Sequence, residues 1–394
     1  MSFWEAVYQV QTRTADIDWA FDLLLLLLAS FCSGNQLLRL ILLFLLVFAT
    51  PVMASFDDAQ QSAAAGNYRQ VVTILSKTLE EDELDPDQRV VAFANRGIAY
   101  SLLKAYALAK QDLEIALSIN PNHPLTLNHL GLLAEQVDQD YALAAGFYQK
   151  AIELQFSASQ VNLANLYWYG KGVPKNTRRA FELYRQAAEA NYNMAFTPLG
   201  RIYASGDGAP QNYKRAFHLF KRASESGVTE ANYYLGFAYE KGRGVKYDLA
   251  LAKRNYQIAA IQGHGEAQNA LGYLYRRGLG VKQDYVQAST WYQLASDQGI
   301  AGAMNRLSWL LAGCPVEKVC NGNASVILAQ KALELGESPE RLDSLAAGYA
   351  RVGDFDKALK TMERVLQLVP ADSRKRSSYT SRLEQYRQGI VMQL

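Results

Sequence analysis

A 36-residue period runs without a slip through the middle of this 394-residue chain, and it limits the possible folds more than any other feature. Leu163, Leu199, Leu235, Leu271 and Leu307 are each 36 residues apart. Tyr167, Tyr203, Tyr239 and Tyr275 keep the same interval, as do the glycine pairs Gly170/Gly172, Gly206/Gly208, Gly242/Gly244 and Gly278/Gly280. A repeat of this size is one supersecondary unit that can bury its apolar face only against its neighbours. The period therefore predicts a solenoid, whose extended surface suits binding better than catalysis.

One repeat, Thr229 to Gly263, shows the local logic. Ala231, Leu235 and Tyr239 recur at intervals of four, the stripe of a first helix. Gly242 and Gly244 end it, since glycine accepts the left-handed backbone of a helix terminus. Asp248 is read in the first turn of a second helix, where the helix dipole favours an acid. Ala252, Tyr256 and Ala259 carry the second stripe and Gly263 closes the unit. Gly200, Gly236 and Gly272 follow the repeated leucines inside the first helix, as Gly97 and Gly131 do upstream. Glycine there costs about 1 kcal/mol relative to alanine, so the paired helix is expected to cross too closely for a side chain.

The combination of Leu-Gly, Tyr, Gly-x-Gly-Val, Asp, Ala, Tyr, Ala-Ala and Gly resembles Sel1-like repeats, relatives of the tetratricopeptide family. The resemblance covers about Val161 to Ala312, with Ala164 and Ser308 standing in the glycine position of the outermost units. The flanks are similar to tetratricopeptide repeats with a period near 34: Asn95, Gly97, Tyr100, Ala107, Ala116 and Pro121, then Asn128, Gly131, Ala142, Tyr148 and Ala151. An earlier helix pair is expected over about Phe56 to Leu79, and Tyr349, Gly353, Phe355 and Ala358 mark a later unit. The resemblance implies an all-α, right-handed α-solenoid of helix-turn-helix repeats, a Sel1-like/tetratricopeptide superhelix. The expected organisation is residues 1–54 as an N-terminal extension plus signal or anchor and 55–158 as tetratricopeptide-like repeats. Residues 159–312 then hold the Sel1-like repeats, and 313–394 a degenerate repeat, a tetratricopeptide unit and a capping helix. That last helix, over 379–392, either covers the final apolar face or docks elsewhere.

Leu40 to Ala49 is a ten-residue apolar run preceded by Arg39 and followed by Pro51 and Ala54, which predicts a secretory signal ending at Ala54. The competing reading is an uncleaved membrane anchor, although a span needs about 20 apolar residues. Glu5, Asp16, Asp18 and Asp22 do not suit a signal, so residues 1–36 are read as lying upstream of a true start near Leu37. Export would place the protein in the periplasm, or anchor it to the inner membrane with its repeats there. Cys314 and Cys320 then remain as an even pair, read as a disulfide candidate with free thiols as the alternative.

The net charge of +2 hides an asymmetry. Residues 55–158 hold 7 Lys and Arg against 14 Asp and Glu, whereas 159–310 hold 19 against 10. Many central cations flank the glycine loops: Lys171, Lys175, Arg178 and Arg179; Lys241, Arg243 and Lys246; Arg276, Arg277 and Lys282. Stacked repeats would line such loops along one edge, whose summed field attracts anionic partners. Solvated loops with no ligand are the plain alternative. The 24 tyrosines fall mostly at core positions of the repeat and imply no ligand.

Chemistry is absent from the motifs. The four histidines, His123, His129, His218 and His264, have neither metal-ligand nor catalytic spacing. Ser101 and Lys104 match a serine–lysine spacing, here on a repeat helix and without companion motifs. The Gly-x-Gly loops lack the strand and third glycine of a dinucleotide site. The acidic run Glu80 to Asp87 reads as a helix connection. No cofactor, metal or catalytic set is predicted. By resemblance such a chain is a non-catalytic adaptor for protein partners in a bacterial envelope. The alternative is a factor binding an acidic polysaccharide through the basic loop edge. Nucleic acid is not expected as a partner, and membrane contact only through an uncleaved N-terminal segment.

Overall fold

The computed structural model describes residues 51–80 and 84–394, so the signal, the anchor and the start near Leu37 lie outside the described residues. Two compact units divide the chain, one ending at Pro210 and one beginning at Gln211. Among the described residues every regular element is helical and none is a strand. The result is an all-α solenoid of helical hairpins.

The first unit comprises α1 (Pro51–Ala64), α2 (Tyr68–Glu80), α3 (Pro86–Leu102), α4 (Tyr106–Ile119), α5 (Pro124–Gln136), α6 (Tyr141–Glu153), α7 (Ser157–Tyr169), α8 (Thr177–Glu189) and α9 (Phe196–Ser205). The end of the acidic run is a helix start: Asp85 accepts from the Gln88 amide at 2.8 Å in a capping box for α3. Lys104 lies beyond α3, in a turn and with φ of 62°, so the serine–lysine spacing does not share a helix as the sequence suggested. Across α3 and α4, Arg96 forms a bidentate ion pair with the buried Asp112 at 2.7 and 2.8 Å.

The second unit comprises α10 (Tyr213–Glu225), α11 (Thr229–Lys241), α12 (Leu249–Ile261), α13 (Gly265–Arg277), α14 (Tyr285–Asp297), α15 (Ala301–Gly313), α16 (Gly322–Glu334), α17 (Pro339–Arg351), α18 (Phe355–Leu368) and α19 (Arg376–Arg387). Ala252, Tyr256 and Ala259 of α12 are buried together with Leu271 and Leu274 of α13, so each stripe faces the next hairpin. Full burial of a side chain such as Tyr256 contributes roughly 2–3 kcal/mol, and its hydroxyl donates to Glu240 at 2.7 Å. Asp248 stands just outside α12, not within its first turn. Its carboxylate accepts from the Ala250 and Leu251 amides at 2.9 Å, as an N-cap. Asp284 does the same for α14.

The interior glycines have the reason the sequence suggested. A Cβ on Gly236 would lie 2.6 Å from the Tyr256 ring, and one on Gly272 2.7 Å from the Tyr292 ring. In the fifth unit the crossing residue is Ser325, and Ser308 fills the glycine position while donating to the Ser325 carbonyl at 2.9 Å. At the C-terminal end, α19 is shorter than the 379–392 expectation. It buries Tyr379, Leu383 and Tyr386 on the last apolar face, and Leu394 donates its backbone N–H to the Gly313 carbonyl at 2.8 Å.

Candidate binding surface

The long turns that carry the candidate cations are built by glycine and closed on the preceding repeat. Between α11 and α12 the chain uses residues 242–248, with Gly242 and Gly244 at φ of 64° and 75°. The face of Gly244 lies against the Tyr213 carbonyl at the start of α10, close enough that no Cβ fits. Gly280 meets Leu249 at the start of α12 in the same manner, where a Cβ on the glycine would lie 2.7 Å from the Leu249 Cβ. The second glycine of the pair thus joins one hairpin to the one before it, a role the period alone does not display.

The cations on these turns fall into two kinds. Lys171, in the α7–α8 turn of the first unit, sits over the Tyr141 ring at 4.9 Å. Lys175 of that turn, and Arg178 and Arg179 at the start of α8, are exposed. In the second unit Arg243 lies between two rings, 5.1 Å from Tyr213 and 5.2 Å from Phe237. Lys241 pairs with Glu240 at 2.6 Å, and Lys246 is exposed. Arg276 lies 5.8 Å from the centre of the Tyr273 ring, while Arg277 and Lys282 face solvent. Four candidates therefore belong to the first unit, and six lie in two successive turns of the second or at the helix ends that lead into them. Lys171, Arg243 and Arg276 are oriented by stacking, which makes them part of the framework as well as of the surface.

The sequence reading missed the aromatic face beside these turns. Phe237, Tyr273 and Trp309 are half-buried, not core, and the exposed Arg306 lies over Tyr273 at 5.4 Å. Arg306 also donates from Nη1 to Asn269 Oδ1 at 3.0 Å. Tyr233 stacks on His264 with ring centres 5.0 Å apart. The interval between Phe237, Tyr273 and Trp309 is again 36, which is the signal that could have found them.

The candidate cysteines meet in the loop between α15 and α16. Cys314 is buried, and burial pushes its thiol up from the ordinary range. Cys320 Sγ donates to the Cys314 carbonyl at 2.7 Å, and both are free thiols in this structure. Among the described residues no group of three or more His, Cys, Asp and Glu side chains is placed to hold a metal. Burial lowers both His123 and His129 to about 4, so each is neutral near pH 7.

With this geometry in view, comparison with known families matches Sel1 repeats at residues 127–156, 157–192, 188–228, 229–264 and 265–300. The first match starts one hairpin before the frame drawn from the glycine loops, and the last ends at residue 300. A Sel1 repeat protein from Oxalobacter formigenes is 32% identical, with a TM-score of 0.54 over 61% of this chain and 96% of that one. The structure of c5321, a protective antigen of uropathogenic Escherichia coli with an SLR fold, is 22% identical. Its TM-score is 0.58 over 85% of this chain and 76% of that one, a likeness of fold. No curated protein matches the sequence. The chain belongs to the Sel1 repeat family. Proteins of this family are, in general, scaffolds for protein–protein interaction.

Proposed function

We propose that this protein is a non-catalytic adaptor that holds partner proteins in the bacterial cell envelope. The observation that carries the reading is a stack locked repeat to repeat by Gly244 and Gly280, displaying cations that stacking has already oriented. A rigid surface loses little entropy when it binds, so modest contacts suffice. The envelope location rests on the apolar run Leu40 to Ala49 and the small residues after it. In that oxidising compartment Cys314 and Cys320 are read as a disulfide pair. Alkylation of the native protein with and without reductant tests this, and two reactive thiols without reductant would overturn it.

Affinity capture from an envelope fraction, at low and moderate salt, tests the adaptor reading. A defined protein recovered at moderate salt is the expected result. A second reading is an acidic polysaccharide bound within one unit, on the exposed Lys246, Arg277 and Lys282 of the second or on Lys175, Arg178 and Arg179 of the first, and their exposure favours it. Recovery of acidic glycan alone, released as salt rises, would replace the first reading with the second.

A further inference from the structure

Phe237, Tyr273 and Trp309 hold one position in three successive first helices of the second unit, α11, α13 and α15. Each ring carries a guanidinium. Arg243 lies 5.2 Å from the centre of Phe237, Arg306 5.4 Å from Tyr273, and Arg382 5.2 Å from Trp309. Arg276 adds a second cation on Tyr273. The same positions 36 and 72 residues before Phe237 are Arg201 and Asn165, so the aromatic stripe belongs to the second unit alone.

The third rung shows what a stacked guanidinium does here when a carboxylate is within reach. Arg382, supplied by α19, binds Asp343 of α17 through two hydrogen bonds of 2.7 and 2.8 Å. Among the described residues the ion pairs include no carboxylate for Arg243, Arg276 or Arg306. The rings hold all three guanidinium groups within 5.1–5.8 Å of their centres, and Asn269 fixes Arg306 further, so planar donor groups are gathered where a planar anion can meet them. The ring faces are covered by the protein's own cations. That disfavours sugar rings, which need a bare aromatic face, and favours carboxylates on flexible side chains.

We propose that this stripe of the second unit docks an extended acidic peptide segment of a partner protein, whose Asp and Glu side chains take the N–H edges of Arg243, Arg276 and Arg306. The inference rests on the adaptor reading and names the chemistry of the partner.

The test is fluorescence anisotropy with the full chain and a labelled peptide of alternating glutamate and serine. A glutamine–serine peptide serves as control and polygalacturonate as competitor. The glutamate peptide binds at low ionic strength and the glutamine peptide does not. The double variant Arg276→Gln/Arg306→Gln weakens binding by about tenfold or more, with circular dichroism unchanged. Arg306→Lys, which keeps the charge but loses the planar fork, falls between. Arg178→Gln/Arg179→Gln, in the other unit, leaves binding unchanged. Equal binding of both peptides, full binding by the double variant, or preference for polygalacturonate at these residues would overturn the proposal. A protein captured from the envelope that stays bound to the double variant would overturn this surface alone, leaving the adaptor reading intact. Capture of no protein by the native chain would count against that reading itself.

Discussion

Hairpin α3–α4 in the first unit and hairpin α11–α12 in the second bury similar stripes but reverse direction by different means. The first turns through residues 103–105 on a left-handed lysine, Lys104, and ties its helices with the Arg96–Asp112 ion pair. The second turns through residues 242–248 on two left-handed glycines and ties its helices with the Tyr256–Glu240 hydrogen bond. The short turn only reverses the chain. The long one also reaches the preceding hairpin, where Gly244 meets Tyr213, and holds Arg243 on two rings. The lesson is that the same loop fastens the stack and presents its charge, so in the second unit surface and scaffold are not separable.

Substitutions can break this contrast in order of size. Gly244→Val places a branched side chain at φ of 75° against backbone that cannot move aside. It should cost about 3 kcal/mol or more, read as a lower urea midpoint followed by emission of Trp291 and Trp309.

The ion pair that ties α19 to α17 offers a test by pH. Burial raises Asp343 to about 6 from an ordinary 3.8, against the opposing pull of Arg382. The folded state therefore holds a proton between these values that the unfolded state has released. Stability from this group is fully present below about 3.8 and is lost as pH rises through about 6. Asp343→Asn should flatten the urea midpoint between pH 7 and pH 4 by roughly one proton's worth of slope. An unchanged profile would count against a buried, protonatable Asp343. The smallest effect is expected in the other direction. Lys104→Gly relieves a left-handed backbone and should stabilise the first unit by about 0.5–1 kcal/mol, whereas a glycine added elsewhere costs that much. A scanning calorimetry shift upward is the expected reading.

Much of this was legible in the sequence because the signal repeats. Leucine, tyrosine and glycine at one interval define hairpins, and Gly236 and Gly272 announced a close crossing that Tyr256 and Tyr292 supply. The guanidinium stripe was not legible. Arg306 and Tyr273 are 33 residues apart, and Arg382 and Trp309 are 73 apart, so neither pair appears until hairpins lie side by side. The tyrosines illustrate the same limit. Tyr256 and Tyr292 are core, as their spacing implied, but Tyr273 is half-buried beneath Arg276 and Arg306.

What the sequence by itself determined is the local grammar: helix stripes, glycine turns and the repeat that makes a solenoid. These depend on contacts within about one period, where composition and spacing suffice. Only the tertiary structure decided which cations are held on rings and which glycine joins neighbouring hairpins. Those properties arise from how separate repeats are superposed, and superposition is set by packing distances that no linear interval records.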